Sequence, residues 1–458
     1  MNITELQQSY ASHPNVEGVC RLLKDNSVRH LYCGGLYASA ASLFSSVLVQ
    51  RATCPLVFIL GDMEEAGYFY HDLTQILGTE QVLFFPSSFR RAIKYGQKDA
   101  ANEILRTEVL SRLQKGEEGL CVVTYSDTLP EKVVSRKELG ENTLKLHAGE
   151  RVDMNFVTDV LRSYGFEYVD YVYEPGQYAV RGSIIDVFSF SSEYPFRIDF
   201  FGDEVESVRT FEVETQLSKE KKESIVIVPD LSHSLEKKGS GGMVSFLDFL
   251  PSDSLLAMRD FLWLRERIQT VHDESLTPQA IAARESEENG AITLEGKLID
   301  GGEFTLRALD FRRMEFGNKP TGTPDATVSF HTTVQPIFHK NFDMVAESFR
   351  EYLSRHYTIY ICSDSLKQTD RIRAIFEDRG DNISFTAVER TLHEGFADDT
   401  LRICIFTDHQ LFDRFHKYNL KSDKARSGKV ALSLKELNQF TPGDYVVHTD
   451  HGVDRKSV

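Results

Sequence analysis

The chain has 458 residues and a formal net charge of −17, from 52 basic and 69 acidic residues. One hydrophobic core rarely serves a chain of this length, so we expect about three or four domains. The negative charge argues against nonspecific binding of nucleic acids or anionic membranes by the surface as a whole. The N-terminus lacks the features of a signal peptide, and no apolar run approaches the roughly 20 residues that span a bilayer. These features predict a soluble, cytoplasmic protein without a membrane partner.

Residues 1–125 alternate between strand patterns and helix patterns. A strand pattern at 30–35 is followed by the apolar spacing of a helix at 39–50 and by a second strand at 56–62. Strands that alternate with helices of this length form a parallel sheet with helices on both faces. We therefore predict a parallel α/β domain of the type that binds nucleotides.

The turn at 34–42, GGLYASAAS, occupies the place of the phosphate loop in such a domain. A phosphate loop reads G-x-x-x-x-G-K-[ST], because its glycines let backbone N–H groups close on the phosphates, its lysine reaches the β- and γ-phosphates and its hydroxyl holds Mg²⁺. Gly35 fits the first glycine, but Ala40, Ala41 and Ser42 stand at the last three positions. Without the lysine the charge of the transferred phosphate has no counterion. We predict a degenerate, non-functional loop; weak anion binding at the helix N-terminus is the alternative.

Residues 126–211 carry the signals of an antiparallel hairpin domain. Two β-rich runs, at 183–188 and 195–201, follow a Pro-Gly pair and a further glycine. From 174 to 209 there are seven acidic residues and three arginines, too sparse a basic pattern to follow a phosphate backbone. This composition favours a sheet that docks another protein.

The rest of the chain returns to α/β patterns. Residues 212–330 resume the packing of the first domain, so the hairpin domain is predicted to be an insertion. Residues 331–410 predict a small flavodoxin-like, doubly wound α/β domain. A basic linker at 411–435 follows, and 436–458 begins a β-rich module.

The sequence offers few signals of an enzyme or a metal site. His448 and His451 raise the question of zinc, but a strand places them on opposite faces and no third ligand follows at suitable spacing. A G-x-S-x-G elbow, an H-E-x-x-H helix and a dinucleotide fingerprint are all missing. We therefore predict no catalytic residue, no metal and no cofactor in this chain.

Several stretches resemble one family of bacterial repair proteins. The runs at 177–188, QYAVRGSIIDVF, and 195–207, PFRIDFFGDEVES, resemble the region shared by the excision-repair protein UvrB and the transcription-repair coupling factors. The run QPIFHKNF at 335–342 resembles the coupling factors, and GDYVVHTDHGV at 443–453 resembles the opening of their RNA polymerase-interacting domain. Together these similarities extend over essentially the whole chain.

The resemblance implies UvrB-like domains 1A (1–125), 2 (126–211) and 1B (212–330), then the small domain and a truncated polymerase-interacting domain. It implies a non-catalytic platform that recruits UvrA to stalled RNA polymerase in transcription-coupled nucleotide excision repair. The family's motor, an ATP- and Mg²⁺-dependent translocase on double-stranded DNA, lies outside this sequence. The RNA polymerase β subunit is an implied partner whose site is incomplete here, because the sequence after Val453 departs from the family pattern.

The resemblance also implies which residues contact UvrA. Arg181 aligns with a family arginine used in that contact, and Arg197, Asp199, Phe188 and Phe201 are further candidates. By strand alternation Arg197, Asp199 and Phe201 share one face. The alternative is that the aromatic residues are core and that Arg197 pairs with Asp199.

A second reading of the function belongs to another class. The chain would be a divergent UvrB-like helicase subunit that binds nucleotide and damaged DNA. That reading needs a phosphate-loop lysine, which Ala41 replaces, and a basic path for DNA, which the net charge of −17 disfavours.

Overall fold

The computed structural model describes residues 1–88, 100–231, 242–277, 296–418 and 420, and the backbone of two strands at 445–448 and 452–455. The chain divides into two compact units, one of Met1–Arg136 with Gly239–Leu420 and one of Lys137–Lys238 with Lys421–Val458. Most of the predicted linker at 411–435 and of the predicted module at 436–458 lies outside the described residues, as does His451. Tyr445–His448 and Gly452–Arg455 form an antiparallel pair.

The first unit contains a seven-stranded sheet in which all strands run parallel. Its strands are, in spatial order, Ala326–Ser329, His30–Gly34, Arg312–Gly317, Leu255–Met258, Leu56–Leu60, Cys121–Tyr125 and Val82–Phe84. Strands such as Leu56–Leu60 are apolar and buried throughout, as expected where helices cover both faces. The chain leaves this sheet after Cys121–Tyr125 and returns at Leu255–Met258. The predicted parallel sheet and its insertion are thereby confirmed.

The described helices of this part of the unit connect or cover these strands. They are Ile3–Ala11, Pro14–Leu22, Ala40–Arg51, Met63–Leu77, Ala100–Lys115, Phe246–Phe249, Phe261–Ser275 and Gly301–Ala308, with a 3-10 turn at Ser126–Thr128 and a strand pair of Val133–Val134 and Met243–Val244. Among the described helices of the chain none is long and apolar enough to cross a membrane.

A five-stranded sheet forms the second layer of the first unit. Its strands are, in spatial order, Thr332–Val334, Phe396–Asp398, Ile403–Thr407, Thr358–Ser363 and Thr386–Glu389, and its helices are Phe342–Ser354, Leu366–Asp378 and Asp408–Leu411. The last three strands run parallel, as predicted for a small α/β domain, whereas the first two add antiparallel pairs. One buried core contains residues of both sheets, and the Tyr10 hydroxyl donates a hydrogen bond to Asp398 over 3.2 Å.

The second unit is built on a six-stranded sheet. Its strands are, in spatial order, Ser218–Lys222, Glu204–Phe211, Phe196–Phe201, Ile184–Val187, Gln177–Arg181 and Glu167–Tyr168, antiparallel except for the last pair. The other described elements are the helix Arg136–Glu141, which begins at the unit boundary, the helix Met154–Ser163 and the pair of strands Leu144–His147 and Ser224–Ile227. Val157 and Leu161 of the second helix share a core with Ile185 and Ile198 of the sheet. One face of the sheet is therefore covered, and the opposite face carries its polar side chains.

Candidate functional site

The turn after the strand His30–Gly34 connects this strand to the helix Ala40–Arg51. Other groups of the protein occupy the space beside the turn. Gly35 has a φ of +78°, and a Cβ at this position would lie 2.0 Å from the carbonyl oxygen of Phe330. The Tyr37 N–H donates to Thr332 Oγ1 over 3.0 Å, and the Thr332 hydroxyl donates to the Gly35 carbonyl over 2.7 Å. The Tyr37 N–H, a donor of the kind that faces a phosphate in a functional loop, is thus engaged within the protein.

The N-terminus of the helix Ala40–Arg51 faces a buried carboxylate. The Ser39 hydroxyl donates to Asp72 over 2.6 Å, and the backbone N–H of His393 donates to the same carboxylate over 2.7 Å. The N–H of Glu394 donates to the Ser39 hydroxyl over 3.0 Å. Burial raises the pKa of Asp72 to about 7, against hydrogen bonds from Ser39, His393 and Ser42 that favour the ionised form. A helix N-terminus attracts anions, and here Asp72 supplies the acidic group from within the chain.

The cleft beside this turn is acidic. Its volume is about 560 Å³, and its described lining includes five carboxylates, one arginine and one histidine. The arginine, Arg259, is paired with Glu65 at 2.9 Å. Ala40 and Ala41 are buried and supply no charge. A triphosphate in this cleft would meet negative charge without the lysine that a phosphate loop supplies.

The polar face of the six-stranded sheet is organised around the buried carboxylate of Asp186. Arg197 lies opposite Asp186 in the neighbouring strand and donates to it twice, from Nε over 2.7 Å and from Nη2 over 2.9 Å. Arg181, on the strand at the other side, donates to the same carboxylate. The side chain of Asp186 is 1% exposed and that of Arg197 15%, whereas that of Arg181 is 36% exposed. Two guanidinium groups therefore share one carboxylate, and Arg181 is the one that reaches solvent.

Asp199 belongs to a second ion pair on this face. Its carboxylate accepts hydrogen bonds from Arg209 and, over 2.9 Å, from the Ser207 hydroxyl. The alternative that Arg197 pairs with Asp199 is wrong. Arg197 pairs with Asp186 on one adjacent strand, and Asp199 pairs with Arg209 on the other. The guanidinium of Arg197 also lies over the buried ring of Phe211, 4.5 Å from the ring centroid.

The two phenylalanines proposed as contacts have opposite environments. Phe201 is 80% exposed, whereas Phe188 is 2% exposed and is not available to a partner that docks on the folded sheet. Phe196, Ile198 and Phe200 are buried, so the predicted division of the strand Phe196–Phe201 into two faces is confirmed.

Two further exposed residues belong to this part of the sheet, and the sequence patterns alone did not single them out. Tyr171 is 48% exposed, with its ring under the guanidinium of Arg181 at 5.0 Å. Arg209 is 39% exposed and pairs with Asp199. The alternation of polar and apolar residues in the strand Glu204–Phe211 could have indicated that Arg209 is on the polar face. Tyr171 lies outside the strands, so no such pattern could have indicated its position.

The comparisons with known proteins agree with this geometry. Residues 144–233 match the UvrB interaction domain family, a range that includes the whole six-stranded sheet. The chain is 23% identical over 486 residues to the transcription-repair-coupling factor of Staphylococcus aureus (strain bovine RF122 / ET3-1), covering 92% of the chain and 41% of the relative. It is 21% identical over 499 residues to that of Bacillus subtilis (strain 168), with the same coverage. The predicted resemblance to the coupling factors is confirmed. The chain spans about two fifths of the length of these relatives.

A titration of stability tests the environment of Asp72. Burial raises the pKa of Asp72 in the folded state to about 7, above the ordinary value of about 4 in the unfolded chain. Asp72 therefore adds stability below about pH 4, and this stability is lost as the pH rises to about 7. The free energy of unfolding of the wild-type chain should fall by at most about 4 kcal/mol between about pH 4 and pH 7, and that of Asp72→Asn should not show this fall. Urea unfolding followed by the fluorescence of Trp263, the single tryptophan, reports on the first unit. Glu64→Gln is the control, because Glu64 is an exposed residue of the same cleft. If the free energies of unfolding of wild type and Asp72→Asn change with pH in parallel, the raised pKa of Asp72 is contradicted.

A pair of substitutions tests the role of Asp186. Asp186→Asn leaves the mostly buried Arg197 without its counterion and should destabilise the second unit by about 3 kcal/mol. Arg181→Ala should cost less than about 1 kcal/mol, because its side chain is 36% exposed and Asp186 keeps both hydrogen bonds from Arg197. Pulse proteolysis in urea, with cleavage mapped by mass spectrometry to residues 137–238, measures both. Equal effects of the two substitutions would show that Asp186 does not organise the face.

Proposed function

We propose that the chain is a docking platform for UvrA and that the polar face of the six-stranded sheet is the contact surface. The observation that carries the proposal is the half-exposed guanidinium of Arg181, which shares the carboxylate of Asp186 with Arg197. The match of 144–233 to the UvrB interaction domain supports it, because the matched residues include this face.

The charge of the face suits an acidic group on the partner. Arg181, Arg197 and Arg209 pair with only two carboxylates, Asp186 and Asp199, so one positive charge is in excess. A guanidinium binds a carboxylate with two parallel hydrogen bonds, which gives orientation as well as attraction. Arg197 serves mainly to position Asp186 and thereby Arg181.

Exposed aromatic side chains flank the same arginine. Arg181 and Phe201 each precede a two-residue turn, and the Phe200 N–H donates to the Ser183 carbonyl over 2.8 Å, so both turns lie at one end of the sheet. Tyr171 stacks on Arg181. Arginine and aromatic residues dominate the binding energy of protein interfaces. We therefore define the docking surface as Tyr171, Arg181, Phe201 and Arg209.

The family resemblance extends the proposal to partners of the whole protein. The similar proteins carry the name transcription-repair-coupling factor. We propose RNA polymerase as a partner of the module that begins at 436, and double-stranded DNA, with ATP and Mg²⁺, as ligands of the whole protein's motor. The acidic cleft beside Ala41 argues against the alternative of a nucleotide-binding helicase subunit.

Binding measurements with purified UvrA of the same organism test the docking surface. Arg181→Ala and Phe201→Ala should each weaken the affinity of the chain for UvrA about tenfold or more, because each removes an exposed anchor. Phe156→Ala is the matched control, since Phe156 is 55% exposed on the helix that covers the opposite face. Surface plasmon resonance gives the affinities, and circular dichroism checks the fold.

Two results would contradict the proposal. Unchanged affinity of both folded variants would exclude this surface, and failure of the wild-type chain to bind UvrA would exclude the function. Saturable ATP binding at micromolar concentration would favour the helicase alternative instead.

A further inference from the structure

Four histidines converge in the first unit, at the contact between its two sheets. His71 lies on the helix Met63–Leu77, His393 in the segment before the strand Phe396–Asp398, His409 on the helix Asp408–Leu411 and His416 just after it. One ring nitrogen of each of the last three lies within 4.8 Å of the others. The ring of His71 lies 5.0 Å from that of His416.

The hydrogen bonding of these rings is incomplete. Within the described residues, Nε2 of His71 and Nδ1 of His393 and of His416 are buried without a hydrogen-bond partner. His71 is only 7% exposed. A buried polar atom without a partner costs about 1–3 kcal/mol, and native structures contain few of them. Three such nitrogens at one place therefore indicate a ligand that accepts their lone pairs.

Burial puts the rings in the form that binds metals. It lowers the pKa of His71, His393 and His409 to about 4, and the neighbouring rings add to this effect. The neutral imidazole, with its free lone pair, is the ligand for transition metals.

Neighbouring groups hold the rings in place. Tyr68 stacks on His393 with ring centroids 3.5 Å apart, and its hydroxyl donates to the His416 carbonyl over 2.7 Å. Nε2 of His409 lies 2.7 Å from the His393 carbonyl oxygen and 3.2 Å from the Thr407 hydroxyl. Contacts of this kind orient the ligands of metal sites.

We propose that His71, His393, His409 and His416 form a binding site for one Zn²⁺ ion. Imidazole nitrogens without thiolate suit zinc and the neighbouring late transition metals. Zinc binds nitrogen at about 2.0–2.1 Å, which places tetrahedral ligands about 3.3 Å apart. The nitrogens of His393, His409 and His416, which lie within 4.8 Å of one another, must therefore approach by about 1.5 Å at most. His409 and His416 stack with their planes at 13°, so one of these rings turns about its Cβ–Cγ bond when both bind the ion.

The ion would join separate elements of the first unit. His71 belongs to a helix against the seven-stranded sheet, whereas His393 and His409 adjoin strands of the five-stranded sheet. His416 lies within the predicted linker at 411–435. Zinc would thus fix the start of this linker to the first unit.

Metal titration of the whole chain tests the site. After dialysis against a chelator, isothermal titration calorimetry with ZnCl₂ should show one site of micromolar or tighter affinity, and Mg²⁺ should show none. His393→Ala and His409→Ala should each weaken zinc binding at least tenfold. His339→Ala is the control, because its side chain is 76% exposed and lies outside the cluster.

A spectroscopic measurement decides the question even if an alanine variant fails to fold. Co²⁺ bound to the wild-type chain should give the intense visible absorption of a four-coordinate site, and Zn²⁺ should abolish it. The proposal is overturned if the wild-type chain binds no zinc, if folded His393→Ala and His409→Ala bind it like wild type, or if Co²⁺ shows only the weak absorption of a six-coordinate ion.

Discussion

The buried carboxylate of Asp186 is the interaction on which the polar face of the second unit depends. It accepts hydrogen bonds from arginines on both neighbouring strands, so it fixes the position of three strands at once. A buried carboxylate is tolerated only when it is paired and hydrogen-bonded, and Arg197 meets that need. Arg181 shares the same carboxylate from the solvent side. The buried pair therefore presents an arginine that is held in place but only partly neutralised.

A second internal carboxylate, that of Asp72, occupies the start of the helix Ala40–Arg51 in the first unit. Asp72 and the segment at His393 and Glu394 bind to the helix N-terminus at Ser39, where a phosphate would be held in a functional domain. The same segment leads into the strand Phe396–Asp398 of the five-stranded sheet, so the contact also joins the two sheets. In this unit the turn at Ser39 is a structural contact between buried groups.

Much of this structure could be predicted from local patterns in the sequence. The apolar strands of the parallel sheet, the insertion and the two faces of the strand Phe196–Phe201 all follow from hydrophobic periodicity. The ion pairs could not be predicted from hydrophobic periodicity, because the pairing of Arg197 with Asp186 depends on the register of two strands. The strand Thr332–Val334 is too short to give a pattern. The histidine cluster joins positions 71 to 416, and a search for closely spaced ligand motifs does not detect residues brought together only by the fold.

The central proposal is that the polar face of the six-stranded sheet docks UvrA. Hydrogen–deuterium exchange of the whole chain, measured by mass spectrometry with and without UvrA, maps the contact directly. Bound UvrA should slow exchange at the turns 182–183 and 202–203 and in the adjoining ends of strands Gln177–Arg181 and Phe196–Phe201. Protection confined to the helix Met154–Ser163 or to the first unit, with these turns exchanging as in the free chain, would contradict the claim.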